Sequence, residues 1–156
     1  RDRQGPGGAP LSVFESGAVL TYLADKAGRL GEGAQRYATL EWLFFNAAGP
    51  GPTLGQLGYY TRYAKDEPAA VVEAGKARFG KEAERLFGVL DRRLAESPYL
   101  AGDELSVADI MNFTWPNAAR SFLGLDLSAH RHLSRWLDEL AARPAFAKAL
   151  ALKPPK

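Results

Sequence analysis

The chain contains no cysteine. That removes disulfides, thiolate nucleophiles and Cys-based metal sites from its repertoire, and it fits a reducing, cytoplasmic setting. Histidine is nearly absent too, with only His130 and His132. Residues i and i+2 of a helix point to different faces, so this pair makes a poor metal site. It reads as two solvated residues near a helix start, and no metal is expected. Charge of one sign is also lacking. Twenty Lys and Arg against 18 Asp and Glu leave a net charge of +2. The basic residues are scattered among acids, so neither a nucleic-acid partner nor a membrane surface is indicated. No apolar run approaches the roughly 20 residues that span a bilayer. Residues 1–10 are polar and Gly/Pro-rich, unlike a secretory leader. Internal repeats and low-complexity segments are absent.

What remains is an ordinary globular composition, 46% hydrophobic over 156 residues, enough for one good core. Leu11-Ser12-Val13-Phe14 reads as a short strand after a loop at 1–10. Ser16 offers an N-cap to a helix whose apolar face is Ala18, Val19, Tyr22, Leu23 and Ala27. Gly28 ends that helix, and Gly31 to Gly33 form a linker. Nearly everything after residue 34 has helical spacing. One helix covers 35–47, and Ala48 to Pro52 breaks it. A second resumes over 53–64, and a long amphipathic helix runs from Pro68 to about Ala95. A helix over 106–121 contains Pro116, where a kink is expected. Two more cover 129–142 and 144–150, and Lys153 to Lys156 should fray. The fold class is mainly α: a strand–helix fragment followed by a bundle of about five or six helices.

Four constellations carry chemistry. Ser106-Val107-Ala108-Asp109 is a capping box with Asp at its fourth position, and Leu105 with Ile110 supplies a hydrophobic staple. It is a folding element rather than a catalytic acid. In Glu15-Ser16-Gly17, a carboxylate stands beside a helix start whose first amides are unpaired and carry partial positive charge. Together they can hold the ammonium and the carboxylate of an amino-acid head group. On spacing alone the commoner reading is an ordinary N-cap beside a surface acid. Around Gly49-Pro50-Gly51-Pro52-Thr53-Leu54-Gly55-Gln56 lie Trp42, Phe44, Phe45, Tyr59, Tyr60 and Tyr63. They can line an apolar pocket, though plain core packing suits most of them. Arg78 sits on the long helix as a planar donor able to reach a carboxylate, or as part of a solvated face.

In this order the elements resemble a cytosolic glutathione S-transferase. Phe14 to Leu20 resembles that family's glutathione-binding strand-to-helix turn, and Leu100 to Ile110 its capped core helix. Gly51-Pro52-Thr53-Leu54-Gly55-Gln56 after an aromatic helix is similar to the bacterial nu class, a disulfide-reducing subgroup. The resemblance implies residues 1–30 as the last strand and helix of a thioredoxin-like domain, 34–150 as the all-helical C-terminal domain, and 151–156 as a tail. It implies glutathione as cosubstrate, a small electrophile or disulfide as second substrate, and a homodimer. Glu15 would meet the γ-glutamyl ammonium, and Ser16 the γ-glutamyl carboxylate. Arg78 matches an arginine that contacts glutathione, in its own subunit's site or the neighbour's. The family's first strand, its first helix with the thiol-activating residue, and its cis-proline have no counterpart here. Roughly 50 residues or more of a normal member would precede Arg1, judged by domain size, and no catalytic residue can be named. The competing expectation is a non-catalytic helical binding module of the same family.

Overall fold

A computed structural model describes residues 1–29 and 33–152. The linker expected at 31–33 falls mostly outside these residues, as does the fraying tail at 153–156.

The strand expected at 11–14 does not form. Leu11 alone pairs with another segment, exchanging two backbone hydrogen bonds of 2.9 Å with Asp2. Residues 12–14 lie outside any regular element. Val13 and Phe14 favour extended backbone, but a strand needs a ladder partner, and among the described residues Asp2 supplies just one rung. The intervening loop makes a 3₁₀ turn over Pro6–Gly8. It is clamped to the following helix α1 (Ser16–Lys26), because the Asp2 carboxylate accepts from the Tyr22 hydroxyl at 2.7 Å and from the Lys26 ammonium. These contacts hold the Asp2 carboxyl well below the usual carboxylate range, Lys26 contributing most. Gly28 ends α1 at φ +63°, and the Arg29 N–H reaches back to the Ala24 carbonyl at 2.7 Å, the 6→1 closure that a left-handed glycine permits.

Helices α2 (Gly33–Ala48) and α3 (Pro50–Gly58) meet at Gly49. The second helix therefore begins three residues earlier than the sequence suggests. Pro50 and Pro52 both fall in its first turn, where a missing amide proton costs nothing. A Cβ on Gly49 would approach Leu86 and the Phe45 carbonyl at 3.1 Å, so the corner needs a residue without one. A π turn over Tyr59–Tyr63 continues α3.

The long helix α4 (Ala69–Glu96) buries Ala83, Leu86, Phe87, Leu90 and Leu94 along one stripe. Next come α5 (Val107–Ser121), which continues through Pro116, then α6 (Arg131–Ala141) and α7 (Pro144–Leu150). Leu133, Trp136, Leu137 and Leu140 of α6 pack into the same core, with Leu54 and Leu57 of α3 and Phe113 of α5. Asp91 of α4 caps α6 from outside, accepting from the His132 and Leu133 amides at 2.8 and 2.9 Å. His130 is not solvated as expected. It is 8% exposed, with Nε2 2.8 Å from Glu84 Oε1 and its ring edge-on to Phe87.

Asp109 is fully buried. Its carboxylate accepts from the Ser106 amide and hydroxyl, completing the capping box, and also from the Leu100 amide and the Trp136 indole N–H. It thus ties the loop before α5, the helix itself and α6 together. Burial pushes this carboxyl above its ordinary value, against the hydrogen bonds that favour the anion.

Candidate functional site

The start of α1 carries the one non-glycine residue with positive φ among the described residues: Glu15, at φ +68° and ψ 126°. The N-cap is Glu15, not Ser16 as the sequence suggests, and it makes no side-chain cap bond. Ser16 is the first helical residue, because the strained residue before it completes the turn from extended backbone into helix. The first intrahelical bond runs from the Val19 amide to the Glu15 carbonyl at 2.9 Å. The Ser16, Gly17 and Ala18 amides therefore lie in the first turn without an intrahelical partner. No hydrogen bond engages the Ser16 hydroxyl among the described residues, and both Glu15 and Ser16 are exposed. A carboxylate, a hydroxyl and a positive helix end thus stand together, uncommitted.

They form the rim of a cavity of about 830 Å³. Its walls come from α1, α2, the start of α3, and α5: Leu40, Leu43, Phe44 and Ala47 on one side, Met111 and Trp115 on the other. α1 seats closely on α5, since a Cβ on Gly17 would touch the Met111 thioether at 3.6 Å. Of the six aromatics singled out in the sequence, Phe44 alone lines this cavity. Trp42 and Phe45 meet edge-to-face against the core. Tyr59 and Tyr63 border a smaller apolar slot of about 270 Å³ against Trp115 and Phe122. Tyr60 stacks on Phe79 at 5.9 Å.

Sequence reasoning missed Asn46, Met111 and Trp115. Met111 and Trp115 stand at i and i+4 on one face of α5; Asn46 shares the buried face of α2 with Leu43 and a second polar residue, Thr39. Tyr22 is the tyrosine among the lining residues, and its hydroxyl is taken by Asp2. That bond raises the phenol above its ordinary value, the wrong direction for activating a thiol. Arg78 is not brought to the cavity. It is exposed in a separate groove with Tyr60, Val71, Gly75 and Phe79.

The sequence profile described as "Glutathione S-transferase, C-terminal domain" matches residues 59–144. The chain belongs to the glutathione S-transferase family. It is 40% identical over 146 residues to the Disulfide-bond oxidoreductase YfcG of Escherichia coli, an alignment covering 92% of this chain and 66% of that protein. With the E. coli Disulfide-bond oxidoreductase YghU it shares 38% identity over 150 residues, 89% of this chain and 50% of that protein. The chain thus spans about half to two thirds of the length of these relatives. Among solved structures, a glutathione transferase family member from Pseudomonas fluorescens with two glutathione bound superposes with a TM-score of 0.88 at 38% identity, over 97% of this chain and 69% of that one. A glutathione transferase from Pseudomonas putida with one glutathione disulfide bound per subunit gives 0.86 at 38% identity, over 98% and 68%. No helix among the described residues is long and apolar enough to cross a membrane.

Proposed function

We propose that the chain binds glutathione at Glu15 and Ser16 and serves glutathione-dependent thiol transfer, with a disulfide as the favoured second substrate, in the cytoplasm. The observation that carries this reading is the strained Glu15 at the head of α1, where the backbone cost is maintained beside unspent hydrogen-bonding groups over a large cavity. Strain of this kind persists where the surrounding structure and function hold it. The Glu15 carboxylate pairs with the γ-glutamyl ammonium. The Ser16 hydroxyl and the α1 amides receive the γ-glutamyl carboxylate. Relatives named as disulfide-bond oxidoreductases and a neighbour holding glutathione disulfide support a disulfide as second substrate. Residues 1–30 then belong to the glutathione-gripping domain and 34–150 to the helical one.

The sulfur of glutathione is the nucleophile in such chemistry, and an enzyme must favour its thiolate. Among the described residues that line the cavity there is no imidazole or ammonium, and Tyr22 supplies the one phenol. The chain has no cysteine, and Tyr22 is bound to Asp2. This observation favours a second reading for the chain by itself, glutathione binding without turnover. Calorimetric titration of glutathione into the chain and into Glu15→Ala/Ser16→Ala tests the site. Binding by the parent and none by the variant is expected, and equal affinity refutes it. Turnover of a glutathione mixed disulfide by the 156-residue chain would eliminate the binding-only reading.

A further inference from the structure

Two buried amides meet between α2 and α5. Asn112 Nδ2 faces the carbonyls of Trp42 and Ala108, both at 2.9 Å. Carbonyls only accept, so this edge is the NH₂ and the opposite edge is Oδ1. Asn46 Nδ2 donates to that Oδ1 at 3.2 Å and to the Met111 carbonyl at 3.3 Å. The orientation of both amides is thereby fixed by chemistry, and Asn46 Oδ1 is the atom left over. It accepts from no donor among the described residues. Asn46 is 2% exposed. Yet no described side-chain nitrogen or oxygen is both sealed from solvent and without a partner. Its Oδ1 therefore opens onto the cavity that Asn46 lines.

Trp115 Nε1 is the complementary group, a donor with no acceptor among the described residues. It lies 3.4 Å from the point a Cβ on Gly51 would occupy, and Asn46 Oδ1 lies 3.9 Å from the same point. A side chain there would also press on the Asn46 carbonyl at 3.1 Å. One lone donor and one lone acceptor thus flank a bare stretch of α3 on the wall of the cavity that Glu15 and Ser16 also line. Indole N–H only donates and Oδ1 only accepts. A ligand that satisfies both must bring an acceptor and a donor side by side. One residue of an extended peptide does so, because its own N–H and C=O point to the same side of the chain; an aryl or alkyl group brings neither and leaves both unpaired.

We propose that Asn46 Oδ1 and Trp115 Nε1 bind the N–H and C=O of one peptide residue of the second ligand, selecting a peptide thiol or its disulfide over an aryl electrophile. This rests on glutathione occupying the Glu15–Ser16 rim. The two groups act as a specificity pair and take no part in bond making. A site built to hydrogen-bond its ligand rejects analogues that lack the polar group far better than an apolar wall rejects a wrong shape.

The test is calorimetric titration of the chain with glutathione disulfide and with S-benzylglutathione, in which a phenyl group replaces the second peptide. Trp115→Phe removes the N–H and trims the ring, and S-benzylglutathione reports the trimming alone. The expected result is that Trp115→Phe weakens the disulfide about fivefold more than the benzyl ligand, one neutral hydrogen bond's worth. Asn46→Leu, checked for folding by thermal melting, should show the same selective loss. Equal losses for the two ligands, or none, overturn the pair while leaving the rim site standing. Failure of the unsubstituted chain to bind either ligand overturns both.

Discussion

At the scale of single residues, Glu15 is where stability and function pull apart. A non-glycine residue held at φ +68° costs on the order of 1–3 kcal/mol. Glycine, with no Cβ, tolerates positive φ at a lower cost but loses more backbone entropy on folding. Glu15→Gly should therefore raise stability by about 1 kcal/mol in urea denaturation. If Glu15 binds the γ-glutamyl ammonium as proposed, the same change removes a charge-assisted contact, and glutathione affinity should fall at least about tenfold in calorimetry. A variant that loses stability, or keeps its affinity, would show that the strain has no functional purpose. The pairing of an acid and a hydroxyl at the head of α1 was legible in the sequence because Glu15 and Ser16 are adjacent and the helix start is local. The cavity wall was not. Asn46, Gly51 and Trp115 meet only because α2 and α3 pack on α5, and nothing in the local spacing around any of them announces the other two.

Between elements, the junctions carry more than sequence patterns suggest. The capping box at Ser106 and Asp109 is legible as a helix start, which by itself would be worth about 1–2 kcal/mol. The structure adds the Leu100 amide and the Trp136 indole as donors to Asp109. Truncation leaves three buried or half-buried N–H groups without their acceptor, so Asp109→Ala should cost at least about 3 kcal/mol, read by chemical denaturation. Because burial raises this carboxyl above its ordinary value, the folded state holds the proton more tightly than the unfolded one. The ionisation-linked contribution is complete below the unfolded value of about 3.8 and declines as pH rises through the folded one. The stability gap between the wild type and Asp109→Ala should accordingly be widest in acid and narrow as pH climbs. A gap that widens with pH would mean that the hydrogen bonds outweigh burial. Where α4 crosses the π turn, a Cβ on Gly75 would fall 2.6 Å from the Tyr60 ring. Gly75→Ala should force that ring off its stack with Phe79 and cost about 1–3 kcal/mol, again read by denaturation. Helix positions were legible because an apolar stripe of period 3.6 is a strong signal over ten or more residues. The start of α3 was misread because Gly-Pro punctuation looks like a break, although proline is well suited to a first turn. The strand at 11–14 was misread because four extended-favouring residues cannot reveal whether a ladder partner exists.

Over the whole molecule, one expected site residue stands apart. Arg78 shares a groove with Tyr60 and Phe79 and does not line the Glu15–Ser16 cavity. Phe14 is 81% exposed, and Leu23 and Tyr37 are exposed as well. If Arg78 contacts glutathione, it reaches either its own subunit's site or, as its absence from the cavity lining favours, that of a second copy. In the latter case association and affinity would be linked, because the ligand would bind the assembled pair more tightly than the lone chain. At protein concentrations where sedimentation shows dimers, Arg78→Ala should weaken glutathione about tenfold or more, the loss of one guanidinium–carboxylate bond. On dilution until the protein sediments as monomers, the wild-type affinity should fall to that of Arg78→Ala and the two should coincide. A variant weaker by the same factor at every concentration would place the arginine in its own subunit's site. No difference at any concentration would return Arg78 to a solvated helix face, leaving Glu15 and Ser16 to hold the γ-glutamyl end alone.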